Sequence, residues 1–403
     1  NKCNNMPEIK NKYDFVISGA GLVGCVSAIL LSRMGYSCCL IEKNPIRDIP
    51  SFNNYSPLSL NYRSCLILKK FGIWENILPH LYPIKNLKIK SYHSLNRLEF
   101  NAQDINLNEL GYVIDRRNLL QEFLNYIKSL PNIKIFDQES INSFQENAEK
   151  KDHKLYAKLS SGLPIESKYL IVSDGVESKI KHKLNIKSLE INYSQVSFVF
   201  NSNGLFEKNN AIQIFNKFGI FAAIPYGDKK INLILTINKK DIPLFFNNKN
   251  EINDIMLKNI FNDHVKELSD LNFVSQYDLV TSRSKDVSAA KIIFLGNSSQ
   301  LLHPVGAQGF NLAIRNIDSL MNFIDKGKLD ITSLTNEINS LRESVFNNID
   351  LATNILGGDK LPSKVMSFFI INLLKSSKSM KNTFLKNILG INKFSYLNIG
   401  TDI

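Results

Sequence analysis

The clearest chemical signal in the chain is a glycine pattern close to its start, which reads Gly19-Ala20-Gly21-Leu22-Val23-Gly24. The first glycine permits a sharp turn, the second lets the backbone approach a pyrophosphate, and the third allows a helix to pack on a strand. Glu42 follows eighteen residues after Gly24, where a carboxylate can accept hydrogen bonds from both ribose hydroxyls. We therefore predict a site for NAD or FAD without a 2′-phosphate, and keep a plain strand-to-helix turn as the alternative.

A loop of small residues between positions 294 and 312 is the second candidate. Its possible cofactor contacts are Gly296, Asn297, Pro304, Gly306, Gln308, Gly309, Phe310 and Asn311. A helix that begins near Phe310 can direct its positive dipole and free N–H groups at an electron-rich ring, such as that of a reduced flavin. His303 and Pro304 would lie near such a ring. Because His303 directly precedes proline, we expect it first to structure the loop and only second to relay protons.

A third cluster, which contains Asp174 and Gly175, follows a predicted strand at 169–172. By itself it is explained by an Asp-Gly turn followed by a helix N-cap.

The elements that would position these residues follow from the hydrophobic pattern. The strand that begins at Tyr13, the helix after it and the strand from Ser37 to Ile41 form a βαβ unit, which predicts a parallel sheet. Short alternating strands between about 185 and 282 predict a mainly antiparallel sheet, and a strand of the parallel type returns at 291–295. The chain from about residue 331 is predicted to be helical.

These patterns divide the chain into three predicted units, in which the second interrupts the first. The predicted bounds are 13–83, 109–184 and 283–330 for the nucleotide-binding domain, 84–108 and 185–282 for the inserted substrate domain, and 331–403 for the helical C-terminal region.

The order of the three motifs resembles the FAD-dependent aromatic hydroxylases of the para-hydroxybenzoate hydroxylase fold, over roughly residues 13 to 360. Within that superfamily, residues 296–300, 302–304 and 308–312 are similar to the ubiquinone-biosynthesis hydroxylases, particularly the 2-polyprenyl-6-methoxyphenol hydroxylase branch. That branch has asparagine, here Asn297, where most relatives have aspartate. The resemblance implies an α/β fold: a discontinuous Rossmann-type FAD-binding domain, an inserted mainly antiparallel β-sheet substrate domain and a helical C-terminal tail.

The resemblance also implies roles for residues outside the glycine motifs. It makes Asp174 and Gly175 cofactor contacts. The family's Asp-x-Arg falls on Asn54 and Ser56, so its flavin-side arginine is missing or is supplied by Arg63. Arg116 either contacts FAD or is a solvated charge at the start of a helix.

The implied reaction is the hydroxylation of a polyprenylated phenol in ubiquinone biosynthesis. In this family NAD(P)H reduces FAD, O2 adds to the reduced flavin as a C4a-hydroperoxide, and its distal oxygen attacks the phenol ring. One dinucleotide fingerprint is present, so NAD(P)H is expected to dock transiently on the FAD-binding domain. No metal is implied.

The charge balance favours an anionic partner. The chain of 403 residues has a net charge of +12, for which a compositional bias towards Lys, Asn and Ile is the alternative explanation. Residues 361–403 carry six lysines against one aspartate, and apolar residues lie between the lysines. This combination favours helices at an anionic membrane surface over nucleic acid, with a C-terminal helix packed on the protein body as the alternative.

Cysteine usage and hydropathy suggest a compartment. The five cysteines lie within the first 65 residues without a Cys-x-x-Cys pair, which disfavours a disulfide framework or a zinc site. The first twelve residues are polar and no apolar run reaches about 20 residues. We expect a cytoplasmic protein that is peripheral to the inner face of the cytoplasmic membrane.

Two other functions remain open on the sequence. A flavoenzyme of the same fold could act on a soluble aromatic or an isoprenoid lipid. A flavin- or lipid-binding accessory subunit, which would associate with other ubiquinone-biosynthesis proteins, is suggested by Ser56, by Ala307 where the family usually has glycine, and by Asn316 where it usually has aspartate.

Overall fold

The computed structural model describes residues 11–48, 56–91, 97–147, 154–248, 251–261, 264–325, 328–356 and 361–391. The strands are β1 (Lys12–Ser18), β2 (Cys38–Glu42), β3 (Pro57–Asn61), β4 (Tyr82–Ile84), β5 (Asn86–Ser91), β6 (Arg97–Asn101), β7 (Gly111–Asp115), β8 (Ile133–Asp137), β9 (Ile141–Asn147), β10 (Lys154–Leu159), β11 (Pro164–Val172), β12 (Ser188–Phe206), β13 (Asn210–Asn216), β14 (Gly219–Pro225), β15 (Lys230–Asn238), β16 (Phe246–Asn248), β17 (Glu251–Ile252), β18 (Val265–Ser284), β19 (Ser288–Ala289), β20 (Ile292–Phe294), β21 (Gln300–Leu301), β22 (Ile324–Asp325) and β23 (Lys328–Leu329).

The helices are α1 (Leu22–Arg33), α2 (Tyr62–Lys70), α3 (Trp74–Ile77), α4 (Arg116–Lys128), α5 (Lys179–Lys183), α6 (Asp254–Phe261), α7 (Gln308–Asn322), α8 (Ile331–Leu351), α9 (Leu361–Ser376) and α10 (Lys378–Ile388). A π-helical turn, Ala352–Leu356, follows α8. Within the described ranges, no helix is both long enough and apolar enough to cross a membrane.

The first large sheet is built around parallel strands in the order β19-β20-β11-β1-β2-β8, and β10 and β9 extend it from β11. β1 pairs in parallel with both β2 and β11, as the predicted βαβ unit requires. All five residues of β2 are buried, and α1 buries most of its length against this sheet. Burial on both faces explains why β2 is apolar without alternation.

The second large sheet has the order β21-β18-β12-β15-β14-β13-β5-β6 and is antiparallel except at the β13–β5 pair. β12 and β18 are 19 and 20 residues long, whereas the sequence predicted short strands in this part of the chain. The difference has a physical cause: the middle of β12 is buried, but its ends carry exposed residues such as Leu189 and Ile191 and lack a regular buried alternation.

The C-terminal helices pack on the second sheet. Ile371 and Leu374 of α9 and Leu385 of α10 share a buried apolar cluster with Leu98 of β6. Lys381 of α10 also forms an ion pair of 3.0 Å with the carboxylate of Asp104. The predicted α/β fold, with two sheets and a helical C-terminal segment, is confirmed.

Candidate functional site

The glycine turn lies where β1 ends and α1 begins, and its three glycines have different steric surroundings. Gly19 has φ of +96°, and a β-carbon there would lie 2.7 Å from the carbonyl oxygen of Ser173. A β-carbon on Gly24 would lie 1.8 Å from the carbonyl oxygen of Gly19. Gly21 faces open space. The turn therefore brings α1 against the sheet while leaving one side open to a ligand.

The three motifs meet at the carboxyl ends of the parallel strands. A β-carbon on Gly19 would lie 2.9 Å from the α-carbon of Asp174, which follows β11. On the other side, a β-carbon on Gly296 would lie 2.8 Å from a methyl group of Val23. Ligands of open α/β sheets bind at this edge, and the predicted cofactor residues Gly19, Asp174 and Gly296 approach one another or α1 there.

Two carboxylates flank the turn and differ in their hydrogen bonds. Glu42 is buried, and its carboxylate accepts bonds from the backbone N–H groups of Ala20 (2.8 Å) and Asn44 (2.9 Å). Oδ1 of Asp174 is buried with no hydrogen-bond partner among the described residues. Burial raises the pKa of Asp174, although the Ser178 side chain opposes the shift. Asp174 thus offers an unused acceptor atom beside the turn, next to Gly175 with φ of +94°.

The two candidate arginines are held differently. Arg116 opens α4, and its Nε is buried without a partner in the described structure; burial lowers the pKa of this guanidinium. Arg63 forms an ion pair of 3.0 Å with Asp318 of α7, an interaction that sequence reasoning missed, while its Nη1 is buried and has no described partner. Asn54 lies outside the described residues, and Ser56 donates only a long bond of 3.4 Å to Pro57.

The loop after β21 bends sharply before α7. Gly306 has φ of +69°, and Ala307 keeps the left-handed conformation with φ of +51° although it is not glycine. Gln308 donates a side-chain hydrogen bond to the carbonyl oxygen of Gly306, which closes the loop. Because an alanine methyl group cannot accept a hydrogen bond, Ala307 does not cap α7, and the first N–H groups of this helix have no side-chain cap. A β-carbon on Gly309 would meet open space.

The side chain of Asn311 is fully used inside the protein. Its Oδ1 accepts hydrogen bonds from the backbone N–H of Asn61 and the hydroxyl of Ser64. Its Nδ2 donates to the carbonyl oxygens of Ser59 and Ala307. The amide therefore fixes the loop against β3 and α2, and any cofactor contact at this position is left to the backbone. Phe310 is partly buried against the hydrophobic core that contains residues of β1 and α1, and Asn297 is exposed.

His303 is fixed in one protonation state and one tautomer. The backbone N–H of Val305 donates to its Nδ1 (3.1 Å), so the ring proton lies on Nε2. The ring is 1% exposed, packs edge-on against Tyr193, and burial lowers its pKa to about 4. Nε2 has no hydrogen-bond partner among the described residues. The expected loop-structuring role is visible in this geometry, and an unused N–H donor remains.

The loop faces an apolar cavity of about 150 Å³, which we call the loop cavity. His303 and Pro304 line it from the loop, and strands β13, β14 and β15 of the second sheet line it from the opposite side. Asn61 also lines it, and the Nδ2 of Asn61 is a second buried donor without a partner in the described part of the chain. The strand residues that face this cavity were not predicted, because their side chains are ordinary apolar strand residues.

The residues present fit FAD. Gly21 leaves room for backbone to approach a pyrophosphate, the starts of α1 and α7 offer free N–H groups to anionic oxygens, and Asp174 offers an acceptor for a hydroxyl group. Buried polar atoms normally have hydrogen-bond partners, and several of those that lack them here belong to residues of these motifs.

Most of the chain matches a known protein-family model. Residues 12–324 match the family described as FAD binding domain. Among curated proteins, the chain is 21% identical over 394 residues to a ubiquinone hydroxylase, UbiM, of Neisseria meningitidis, covering 94% of this chain and 84% of the relative. It is 20% identical over 322 residues to the 3-demethoxyubiquinol 3-hydroxylase of Escherichia coli, covering 77% and 79%.

Solved structures show the same fold. The p-nitrophenol 4-monooxygenase PnpA of Pseudomonas putida superposes with a TM-score of 0.72 at 12% identity, covering 94% of this chain and 99% of that one. PqsL of Pseudomonas aeruginosa, described as a probable FAD-dependent monooxygenase, gives a TM-score of 0.72 at 16% identity, covering 90% and 100%.

Substitution of Gly21 and Gly24 by alanine should separate cofactor binding from folding. Gly21→Ala places a methyl group in open space, so the unfolding free energy of the apoprotein should change by less than about 0.5 kcal/mol. Its affinity for FAD should fall about tenfold or more, because the methyl group lies where the pyrophosphate approaches. Gly24→Ala should instead destabilise the apoprotein by roughly 3 kcal/mol. Flavin-fluorescence titration and urea unfolding measure the two effects, and unchanged FAD affinity of Gly21→Ala would refute the assignment.

The buried neutral His303 should make stability fall with acid. The pKa of His303 is about 4 in the folded state and about 6.5 in the unfolded state. Its contribution to the free energy of unfolding is therefore complete above pH 6.5 and decreases as the pH approaches 4. Between pH 7.5 and 4.5 the free energy of unfolding should fall by about 2.5 kcal/mol for this reason. His303→Asn keeps an acceptor for Val305 and should remove that part of the pH dependence in urea unfolding. The exposed His182→Asn serves as the control; an equal loss in wild type and His303→Asn contradicts the prediction.

Proposed function

Because the chain belongs to the FAD binding domain family, we propose that it is an FAD-dependent monooxygenase that uses NAD(P)H and O2 to hydroxylate a polyprenylated phenol in ubiquinone biosynthesis. The observation that carries the proposal is the apolar loop cavity, whose walls combine the glycine loop of the cofactor surface with the second sheet. An aromatic ring held there would lie beside the predicted flavin loop.

The wall chemistry of the loop cavity suits a phenol. Apolar side chains such as Ile212, Ile224 and Ile234 remove the ring from water. Two buried donors, Nε2–H of His303 and Nδ2–H of Asn61, are available for a polar oxygen. A cavity with many apolar contacts and a few directed polar groups is typical of a small-molecule site.

Bound FAD would supply oxygen activation after its reduction by NAD(P)H. The protein's own tasks are then to bind, to orient and to exclude water. His303 remains neutral at physiological pH, since burial holds its pKa near 4. It can therefore donate a hydrogen bond from Nε2 to a phenol oxygen without placing a positive charge in the apolar cavity.

The substrate class rests on the relatives. Ubiquinone hydroxylases of Neisseria meningitidis and Rhodospirillum rubrum and the COQ6 monooxygenase of Dictyostelium discoideum are similar to this chain at 21–23% identity. Their names support an aromatic precursor of ubiquinone as the substrate here.

We further propose that α9 and α10 dock on an anionic membrane surface. Phe368 and Phe369 of α9 are 51% and 66% exposed, and Leu373 continues the same apolar face. Lys378 and Lys386 of α10 are exposed nearby in the chain. Exposed aromatic side chains beside lysines are the combination that inserts into a lipid interface and meets anionic headgroups.

Purified protein reconstituted with FAD should hydroxylate a 2-polyprenylphenol. With NADH or NADPH and 18O2, the product should gain one labelled oxygen atom on its ring, as measured by mass spectrometry. Gly24→Ala, which should not form the cofactor turn, is the control for flavin dependence. Oxidation of NAD(P)H that yields hydrogen peroxide and no labelled phenol would overturn the proposal, and so would the absence of any flavin binding.

Membrane docking should depend on both the aromatic and the basic residues. Replacing Phe368 and Phe369 together by serine should lower binding to vesicles of phosphatidylglycerol and phosphatidylcholine about tenfold or more, since each buried phenyl group contributes roughly 1.5–3 kcal/mol. The matched control replaces Leu189 and Leu205, which are equally exposed on the second sheet. Equal cosedimentation of both double variants, or binding that is independent of anionic lipid and salt, would contradict docking through α9.

A further inference from the structure

A second, larger cavity lies under the C-terminal helices. This helix cavity has a volume of about 450 Å³ and lies between strands β5, β6 and β13 on one side and helices α7 to α10 on the other. Its walls include Leu98, Phe215 and Ile349, which are buried, and Ile370 and Leu374 of α9. It is therefore an apolar space that the fold builds from two different units and does not fill with side chains.

The two cavities adjoin. Leu87 of β5, Gln213 of β13, Ile388 of α10 and the loop residues Val305 and Gly306 line both of them. The loop that carries His303 is therefore a shared boundary of the two cavities. A ligand with its ring in the loop cavity and an extension in the helix cavity would pass the residues that line both, among them Val305.

Among the described residues, the lining of the helix cavity contains one charged side chain. Arg315 of α7 lines the helix cavity, and a β-carbon on Gly390 would lie 3.6 Å from the Cδ of Arg315, so backbone covers its aliphatic stem. Apart from Arg315 and the uncharged polar residues Gln213, Gln308, Ser344, Asn348 and Asn387, the lining is apolar. A long hydrocarbon chain could contact that apolar lining without burying an unpaired charge.

The far wall of the helix cavity is α9, which is apolar on two faces. Ile371 and Leu374 are buried on its inner face, whereas Phe369 and Leu373 are exposed on its outer face. A helix with large apolar side chains on two faces requires an apolar environment on both of these faces. In α9 the protein supplies one side, and the lipid surface proposed above would supply the other. The cavity is thus separated from that surface by a single helix.

We propose that the helix cavity binds the isoprenoid tail of the substrate, with the phenol ring in the loop cavity and the tail directed towards the outer face of α9. This assignment rests on the proposed function, since it names where the tail of that substrate lies. A phenol without a tail would occupy the loop cavity alone and would lose the binding free energy of the hydrocarbon chain.

A substitution that fills the helix cavity should change the preference for tail length. In Leu374→Trp the indole takes the space of the tail, so kcat/KM for a farnesyl or longer phenol should fall about tenfold or more. The kcat/KM for a tail-less phenol should stay within about twofold. Leu373→Trp, one residue away on the exposed face of α9, is the matched control and should retain the wild-type preference in detergent. An equal fall for long and short substrates, or no change, would overturn the proposal.

Photo-crosslinking tests the same point on the unchanged protein. A prenylphenol with a diazirine at the tail end should label peptides of α8 and α9, including Val345 to Ile349 and Ile370 to Leu374. Labelling confined to the second sheet near Phe273 would overturn the assignment even if Leu374→Trp fails to fold.

Binding of geranylgeraniol, which carries a tail but no phenol, separates the two proposals. If wild type hydroxylates no prenylphenol but binds the alcohol, and Leu374→Trp loses that binding, the function fails and the tail site stands. If prenylphenol is hydroxylated with unchanged tail preference in Leu374→Trp, the function stands and the tail site fails.

Discussion

The site depends on one close approach of backbone to backbone, at the carboxyl ends of β1 and β11. A β-carbon on Gly24 would meet the carbonyl oxygen of Gly19 at 1.8 Å, and one on Gly19 would meet the chain at Ser173 at 2.7 Å. Glycine at both places lets α1 start directly at the edge of the sheet, with its N–H groups towards the ligand surface. β20, which precedes Gly296, also lies close to α1: a β-carbon on Gly296 would lie 2.8 Å from a methyl group of Val23.

A second constraint links that surface to the cavities. The amide of Asn311 uses both of its polar atoms to hold β3, α2 and the loop before α7 together. This arrangement fixes the loop that carries His303 and Val305, and that loop is a wall of both cavities. The predicted cofactor surface and the two cavities are therefore joined through one loop, whose displacement would break buried hydrogen bonds of Asn311.

The features that sequence could predict are those with local causes. The glycine turn, the βαβ unit and the α/β fold follow from steric demands and periodicity within about 30 residues, and the fold prediction is confirmed. The hydrogen bond from Asn61 to Asn311 joins residues that are 250 positions apart in the sequence, and the ion pair of Arg63 with Asp318 joins residues 255 apart. No local sequence pattern predicts such interactions. The four hydrogen bonds of the Asn311 side chain within the protein are equally long-range or depend on the fold, so the sequence could not show them. The roles of the predicted cofactor residues, Asn311 included, stay predictions.

Unused polar atoms give the strongest physical argument for a ligand at this surface. Buried atoms without partners among the described residues include Oδ1 of Asp174, Nε of Arg116, Nε2 of His303 and both amide atoms of Asn316. Each unsatisfied buried group costs about 1–3 kcal/mol, so a fold that keeps several of them in its ligand motifs is destabilised unless something else pairs with them. Asn316, at the position where the resemblance led us to expect an aspartate, leaves a neutral donor and acceptor without a partner among the described residues. Asp318, two residues along α7, pairs with Arg63 and lies on a different face of the helix.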